Sequence, residues 1–346
     1  MSIHVSADNF VRAETGRMFA DLQRDASGVN MFSHNRTPAA IEHQTVIRLN
    51  RDTLYSFAVV DLTGGATLTI PDHGTRYLSA MIVNNDHYIN AIYHEPGTYK
   101  LTVADHGTPY VMAGVRILAD PNDRADLAEV TALQDQLVLS AVSATPFVYP
   151  DYDPTSLDAT RDALLALVAQ STDLARTFGR PDQVDPVRHL MGTAAGWGGL
   201  PSAEAMYIAA AAEQAGNHEL TLANVPVDGF WSVSVYNAKG FFEPNARGLY
   251  SVNSVTATPN ADGSVTVRFG DYPKDTPNVI PTPEGWNILV RLYQPWPQVL
   301  DGTWQLPKLT PVRTDTSDTV QSGHPQSHAV AEPAIQRSPA VPVTSD

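Results

Sequence analysis

Asn50-Arg51-Asp52-Thr53-Leu54-Tyr55-Ser56-Phe57-Ala58-Val59 loads both faces of one predicted β-strand with groups that are costly to bury unpaired. Asp52, Leu54, Ser56 and Ala58 share one face of that strand, and Thr53, Tyr55, Phe57 and Val59 share the other. Buried carboxylates and guanidinium groups must be paired or hydrogen-bonded, so Arg51 and Asp52 mark either a structural ion-pair network or the floor of a polar pocket. The alternation continues outward from this tract. Strands are predicted over Gln44 to Leu49, Thr53 to Leu62, Ala66 to Ile70, Tyr77 to Val83, Tyr88 to Tyr93, Thr98 to Val103 and Tyr110 to Leu118. Gly64-Gly65, Pro71-Asp72-His73-Gly74, Glu95-Pro96-Gly97 and Asp105-His106-Gly107 supply turns between them. Short strands at such intervals predict a β-sandwich.

Helical spacing frames this region. Phe10, Val11, Met18, Phe19 and Leu22 predict an N-terminal helix over residues 8–24, with Ser6 or Asp8 as cap. Further helices are expected over Asp123 to Ala141, Ser156 to Phe178 and the alanine-rich Pro201 to Ala215. Strands resume near Glu219 and include Phe230 to Tyr236, Val255 to Thr258, Ser264 to Phe269 and Trp286 to Tyr293, with a hairpin turn at Asn260-Ala261-Asp262-Gly263. The domain reading is 1–40 as helix and lead-in, 41–150 as β-sandwich, 151–217 as helical linker, 218–313 as a jelly-roll-like sandwich and 314–346 as a disordered tail. That tail has no aromatic residue and too little apolar surface to offset its ordering entropy.

Composition narrows the functional classes. Zero cysteines exclude disulfides, thiolate nucleophiles and cysteine-ligated metals. A net charge of -15, spread along the chain, argues against nucleic acid and anionic membrane as partners. No run reaches the roughly 18 apolar residues of a membrane-spanning helix. The first residues lack the basic start and apolar stretch of a secretory signal, so a cytoplasmic location is expected.

Three segments together resemble a known bacterial family: Gln44 through Ser56, Val227-Asp228-Gly229-Phe230-Trp231-Ser232-Val233-Ser234-Val235-Tyr236, and Arg291-Leu292-Tyr293-Gln294-Pro295-Trp296-Pro297 with Leu300-Asp301-Gly302-Thr303-Trp304 behind it. They are similar, in order and over residues 40–312, to proteins joining domain of unknown function 1254 to domain of unknown function 1214. The resemblance implies a mainly β fold with a helical middle, an immunoglobulin-like N-terminal β-sandwich, central helices and a C-terminal jelly-roll-like β-sandwich. Some short members carry a carboxylesterase label. The family motif has an acidic residue where this chain has Asn237.

Asn84-Asn85-Asp86-His87-Tyr88 opens the densest polar and aromatic stretch. Read as a strand, it puts His87 and His94 on opposite faces, so they cannot share a metal, and no metal or other cofactor is expected. His87 is a candidate general acid or base with Asp52 as its orienting partner, against the reading of a satisfied structural histidine. Ser56 is the candidate nucleophile beside that pair. Arg51, Tyr55, Asp86 and Tyr88 are candidate ligand contacts, as are Trp231, Arg291 and Tyr293, which line either a cavity or an interface. The sequence contains no Gly-x-Ser-x-Gly elbow, Ser-x-x-Lys pair, His-Glu-x-x-His helix or phosphate-cradling glycine loop. The expectation is a small-molecule hydrolase, carboxylesterase-like, with its pocket at the N-terminal sandwich. The alternative is a non-catalytic ligand-binding protein or homo-oligomeric assembly protein.

Overall fold

The computed structural model describes residues 2–312 except 43, 45, 46 and 172–174. The expected tail over 314–346 lies outside the described residues. The chain is mainly β and divides into two units: Met1–Pro38 with Arg51–Ser202, and Ala39–Asn50 with Ala203–Asp346.

The first unit begins with α1 (Phe10–Asp25) and β1 (Ser33–His34), followed by β2 (Thr53–Asp61), β3 (Ala66–Ile70), β4 (Leu78–Asn84), β5 (Ile89–Tyr93) and β6 (Gly97–Leu101). Then come α2 (Val103–His106), β7 (Tyr110–Leu118), α3 (Arg124–Asp135), β8 (Val138–Ala141), α4 (Pro154–Val168) and α5 (Pro186–Ala195). Two antiparallel sheets form, ordered β1-β2-β7-β4-β5 and β6-β3-β8. Alternate residues of each sheet meet in one core. Leu54, Ala58 and Val60 of β2, Ala113, Val115 and Ile117 of β7, and Leu68 and Ile70 of β3 belong to a single buried cluster. This is sheet-on-sheet packing, as the alternation requires.

Asp-Pro sequences start two of the helices. Asp153 and Asp185 accept from the backbone N–H of Ser156 and of Val187 and Arg188, while Pro154 and Pro186 occupy the first helical position, where no N–H is needed. Asn9, rather than Ser6 or Asp8, stands at the α1 cap position. Phe10 and Ala13 of α1, Leu157 and Leu164 of α4, and Met191 and Ala194 of α5 bury a shared apolar cluster. Beside it Glu14 and Arg161, both nearly buried, are bonded at 2.5 Å.

The second unit contains β9 (Ala205–Ala211), β10 (His218–Leu222), β11 (Trp231–Tyr236), β12 (Ser251–Asn253), β13 (Val265–Phe269), β14 (Val279–Ile280), β15 (Asn287–Tyr293), α6 (Pro297–Leu300) and β16 (Thr310–Pro311). Its sheets are ordered β14-β13-β10-β16 and β12-β11-β15-β9. Val233, Val235, Val290 and Leu292 from one meet Leu220, Val267 and Phe269 from the other. This is a second sandwich, and all its strand pairs are antiparallel except β13 with β14.

Five local expectations need correction. Pro201 to Ala215 is no helix: residues 205–211 form β9, because seven register partners on β15 outweigh alanine's helix propensity. The helix expected to run to Ala141 stops at Asp135, and β8 pairs with β3 instead. Ser156 to Phe178 is helical only to Val168. Gln44 and Ile47 to Leu49 are not in a strand, nor are Val255 to Thr258.

Replacing Arg161 by alanine would leave the buried Glu14 with Arg17 as its remaining partner, at 2.7 and 3.1 Å. A loss of about 1–3 kcal/mol is expected by urea unfolding, against less than about 0.5 kcal/mol for Arg24→Ala at the exposed Asp21 pair. Equal effects from the two changes would refute this.

Candidate functional site

Asp52 has no exposed surface, and its backbone carbonyl accepts from the Ala119 N–H at 2.9 Å. Arg51 beside it is partly buried. Tyr55, on the opposite face of β2, stacks on Phe57 at 5.6 Å and lies under the Arg116 guanidinium, 5.5 Å from its ring centre. Arg116 in turn donates to the Gly198 carbonyl at 2.9 Å.

His87 is not on a strand. It occupies the tight β4–β5 connection with φ of 62° and no exposed surface. The Gly198 N–H donates to its Nε2 at 2.9 Å, so the ring proton sits on Nδ1 and points to Thr193 Oγ1 at 2.8 Å. The Thr193 hydroxyl donates in turn to the His189 carbonyl at 2.9 Å. Trp197 stacks on the His87 ring at 5.4 Å, His189 at 5.5 Å, and Phe178 meets it edge-on at 5.8 Å. A side chain on Gly199 would collide with that Phe178 ring at 2.4 Å, so the loop after α5 can close over the histidine only with glycine there. Burial, and then the neighbouring His189, push the His87 pKa well below the usual imidazole range.

His87 and Asp52 are therefore not brought together. Thr53 pairs with Leu118 and Asn84 with Val111, so the two groups flank opposite ends of the sheet, seven residues apart along β7. At ~3.3 Å per residue this is roughly 23 Å. The other residues of the stretch also have partners. Asp86 Oδ1 accepts from Arg12 Nε at 2.6 Å, and the Asp86 carbonyl faces His189 Nε2 at 3.0 Å. Tyr88 stacks on His189 at 4.6 Å.

Ser56 has a different histidine beside it. His34 of β1 lies directly opposite Ser56 in the register, with Nδ1 2.8 Å from Oγ. Gln134 Nε2, from α3, donates to the same oxygen at 3.1 Å and reaches the carbonyls of Tyr55 and Asn35 at 3.1 and 3.2 Å. Burial, then the Arg36 charge, lower the His34 pKa, while Asp135 opposes them. Arg36 itself is tied to Asp135 at 2.5 Å and to the Thr131 carbonyl at 2.9 Å. Ser56 is covered completely, whereas His34 keeps some exposed surface. Neither His34 nor Gln134 is legible in sequence. A two-residue strand carries no period, and the β1–β2 register is set by folding.

In the second unit, Trp231 lies in the apolar core. Arg291 is buried at 3% exposure and grips the chain itself: Nη1 donates to Ser234 Oγ at 2.9 Å, and Nη2 to the Arg48 carbonyl at 2.7 Å and the Tyr236 hydroxyl at 2.8 Å. Tyr236 donates to the Leu49 carbonyl at 2.8 Å, and Asn50 Nδ2 donates to the Tyr293 hydroxyl at 2.9 Å. Arg291 and Tyr293 thus hold residues 48–50.

An open cleft of about 410 Å³ lies in the first unit between residues 72–76 and α3, lined by Asp72, His73, Arg76, Glu129, Leu133 and Gln136 among others. Its strongest polar groups bind one another: Arg76 meets Asp126 at 2.6 Å and Glu129 at 3.1 Å, and the His73 nitrogens face the carbonyls of Arg76 and His94 at 2.7 and 2.8 Å. Among the described residues no three His, Asp or Glu side chains are grouped to hold a metal, and no helix is long and apolar enough to cross a membrane.

A helix-flanked sandwich followed by an eight-stranded one defines a two-sandwich protein. A family model described as protein of unknown function (DUF1254) matches residues 29–99, and one described as protein of unknown function (DUF1214) matches residues 204–297. The chain thus carries both matches in the order of the proteins it resembles, which join these two domains. Among solved structures it is similar to the VPA0106 protein from Vibrio parahaemolyticus, with a TM-score of 0.69 and 17% identity, covering 89% of this chain and 98% of that one. The likeness is one of fold. An uncharacterized protein from Burkholderia cenocepacia aligns with a TM-score of 0.46 and 16% identity over 84% of this chain and 85% of its own. Comparison with curated proteins finds no match.

The buried His87 generates a pH dependence of known sign. Its folded pKa lies below the unfolded value of about 6.5, so between the two values the unfolded chain binds a proton that the folded chain does not. Stability is complete above about pH 6.5 and declines as the pH falls toward the folded pKa. The thermal midpoint should be lower at about pH 5.5 than at pH 7.5, with a smaller drop in His87→Asn, which tolerates the left-handed backbone. An unchanged drop in that variant would remove His87 as a source.

Proposed function

We propose that this chain is a non-catalytic protein that works by assembly, its side-chain chemistry being spent on holding two sandwiches rigid. One observation carries the reading: Asp52, Ser56 and His87 all have no exposed surface, and both ring nitrogens of His87 are engaged by Thr193 and Gly198. A general acid or base must reach the proton it moves, and a nucleophile must reach its carbonyl. Arg291 and Tyr293, the candidate ligand contacts of the second unit, are likewise bonded to residues 48–50 of the same chain.

A second reading, hydrolysis, is favoured by the 2.8 Å contact between His34 Nδ1 and Ser56 Oγ, which is nucleophile-to-base spacing. Neutral His34 would take the hydroxyl proton as Oγ attacks an ester carbonyl carbon. The alcohol would leave with that proton, and water would repeat the sequence on the acyl-serine. This reading needs β1 to shift with its histidine before a substrate could reach Ser56.

Incubation with small esters, lactones and thioesters, and with a fluorophosphonate probe, separates the two. No serine-dependent turnover and no covalent adduct are expected. An adduct on Ser56, absent in Ser56→Ala and slowed at least about tenfold in His34→Ala, would replace the assembly reading with the hydrolase one.

A further inference from the structure

Gly198 is tied on both sides of its peptide plane. Its N–H donates to His87 Nε2 and its carbonyl accepts from Arg116 Nη2, each at 2.9 Å. The residues around it, Gly196-Trp197-Gly198-Gly199, form a strap over the His87 ring. Trp197 stacks on that ring at 5.4 Å, and its Nε1 donates to Thr15 Oγ1 of α1 at 3.1 Å. Glycine supplies the path: Gly198 has a φ of 77°, and Gly199 runs where a side chain would strike Phe178. The first unit ends at Ser202, so the strap lies in its last stretch, after its final helix.

The attachment requires one protonation state of His87. The neutral ring carries its proton on Nδ1, toward Thr193, so the next proton must enter at Nε2, the nitrogen that accepts from Gly198. A protonated imidazole nitrogen donates and cannot accept. Two N–H groups would then oppose each other in a buried place. The ring has little room to turn away, because Trp197, His189 and Phe178 pack around it and Thr193 holds Nδ1. The strap, with three glycines among its four residues, is the part that yields. The titratable and charged groups about the ring come from several elements. α5 brings His189, and the connection that carries His87 brings Asp86 and Tyr88. α1 brings Arg12, bonded to Asp86, and β7 brings Arg116 at the far side of Gly198. The segment of Phe178 brings Arg180, paired with Asp182 at 3.2 Å.

We propose that residues 196–199 are an acid-released latch: a proton on His87 Nε2 expels the Gly198 N–H, and the strap comes away while the sandwich beneath it stays folded. Release parts Trp197 from His87 and Phe19, and uncovers the ring column of Tyr88, His189 and His87 from the Trp197 side. This is a regulatory device that goes beyond the assembly reading and does not depend on it.

The test follows amide hydrogen exchange in the full chain by NMR at about pH 7.5 and pH 5, with each rate corrected for the intrinsic pH dependence of exchange. With the strap open the imidazole titrates near 6.5, and with it closed well below that, so opening becomes at least about tenfold more frequent at pH 5. Protection of the Gly198 N–H should fall by that factor. Protection of the Val115 N–H, in β7 between β2 and β4, should hold. His87→Asn, which tolerates the left-handed backbone, should abolish the selective fall. Gly199→Ala, blocked by Phe178, should leave Gly198 poorly protected at both pH values with Val115 unaffected. The wild-type and Gly199→Ala measurements decide alone if His87→Asn does not fold. Full Gly198 protection at pH 5 overturns the latch. So does a parallel loss at Val115, which is global unfolding, or an undiminished fall in His87→Asn. Each of these outcomes leaves the assembly reading standing, whereas Ser56-dependent turnover would end that reading and leave the latch intact.

Discussion

Arg291 is the constraint around which the second sandwich is organised. A guanidinium at 3% exposure must have acceptors, and it finds them in the Arg48 carbonyl, the Tyr236 hydroxyl and Ser234. The same need explains why residues 47–49 do not form the strand their alternation suggests. Carbonyls aimed at a guanidinium and at the Tyr236 hydroxyl are not available to a neighbouring strand. Ile41 completes the attachment by packing with Tyr236, Phe242 and Leu289. Twelve residues between the lead-in and β2 thereby become part of a sandwich whose remaining strands begin at Ala205.

Much of the first sandwich could be read from alternation, because its strands bury one face on a shared core. β2, β3 and β7 fall within a residue or so of where the pattern puts them, and a five-stranded sheet against a three-stranded one is the packing such strands need. Two of the failures share a cause. β9 reads as helix because alanine prefers helix, and β8 reads as the continuation of α3. In each case the deciding term is a partner strand far away in sequence. α5 was missed although Asp185-Pro186 is a good start signal, because the ten residues that follow are short and rich in small side chains.

The site was legible in part. Ser56 lies in β2 as the pattern puts it, whereas Asp52 precedes the strand, and the histidine near Ser56 is His34, brought there by a two-residue strand. His87 lies in a turn with positive φ, so the strand-based assignment of its face did not apply. What the sequence displays as a dense polar stretch is a surface pair of Asp86 with Arg12 and a set of internal bonds, His87 to Thr193 and Gly198 and His189 to the Asp86 carbonyl. Burying such groups stabilises little in net terms, but a wrong packing that leaves one unsatisfied costs about 1–3 kcal/mol. Their effect is to make alternative packings poor.

The attachment of residues 48–50 to Arg291 spans 243 positions of chain. On a ribosome adding about 5–20 residues per second, the early segment emerges roughly 12–50 s before the strand that receives it. Ile41 and Leu49 must wait through that interval with no finished surface to dock on, while the β-strands that follow them are already free to pair. Biogenesis of this chain therefore includes an obligatory delay during which a short apolar stretch is available to chaperones or to other nascent chains.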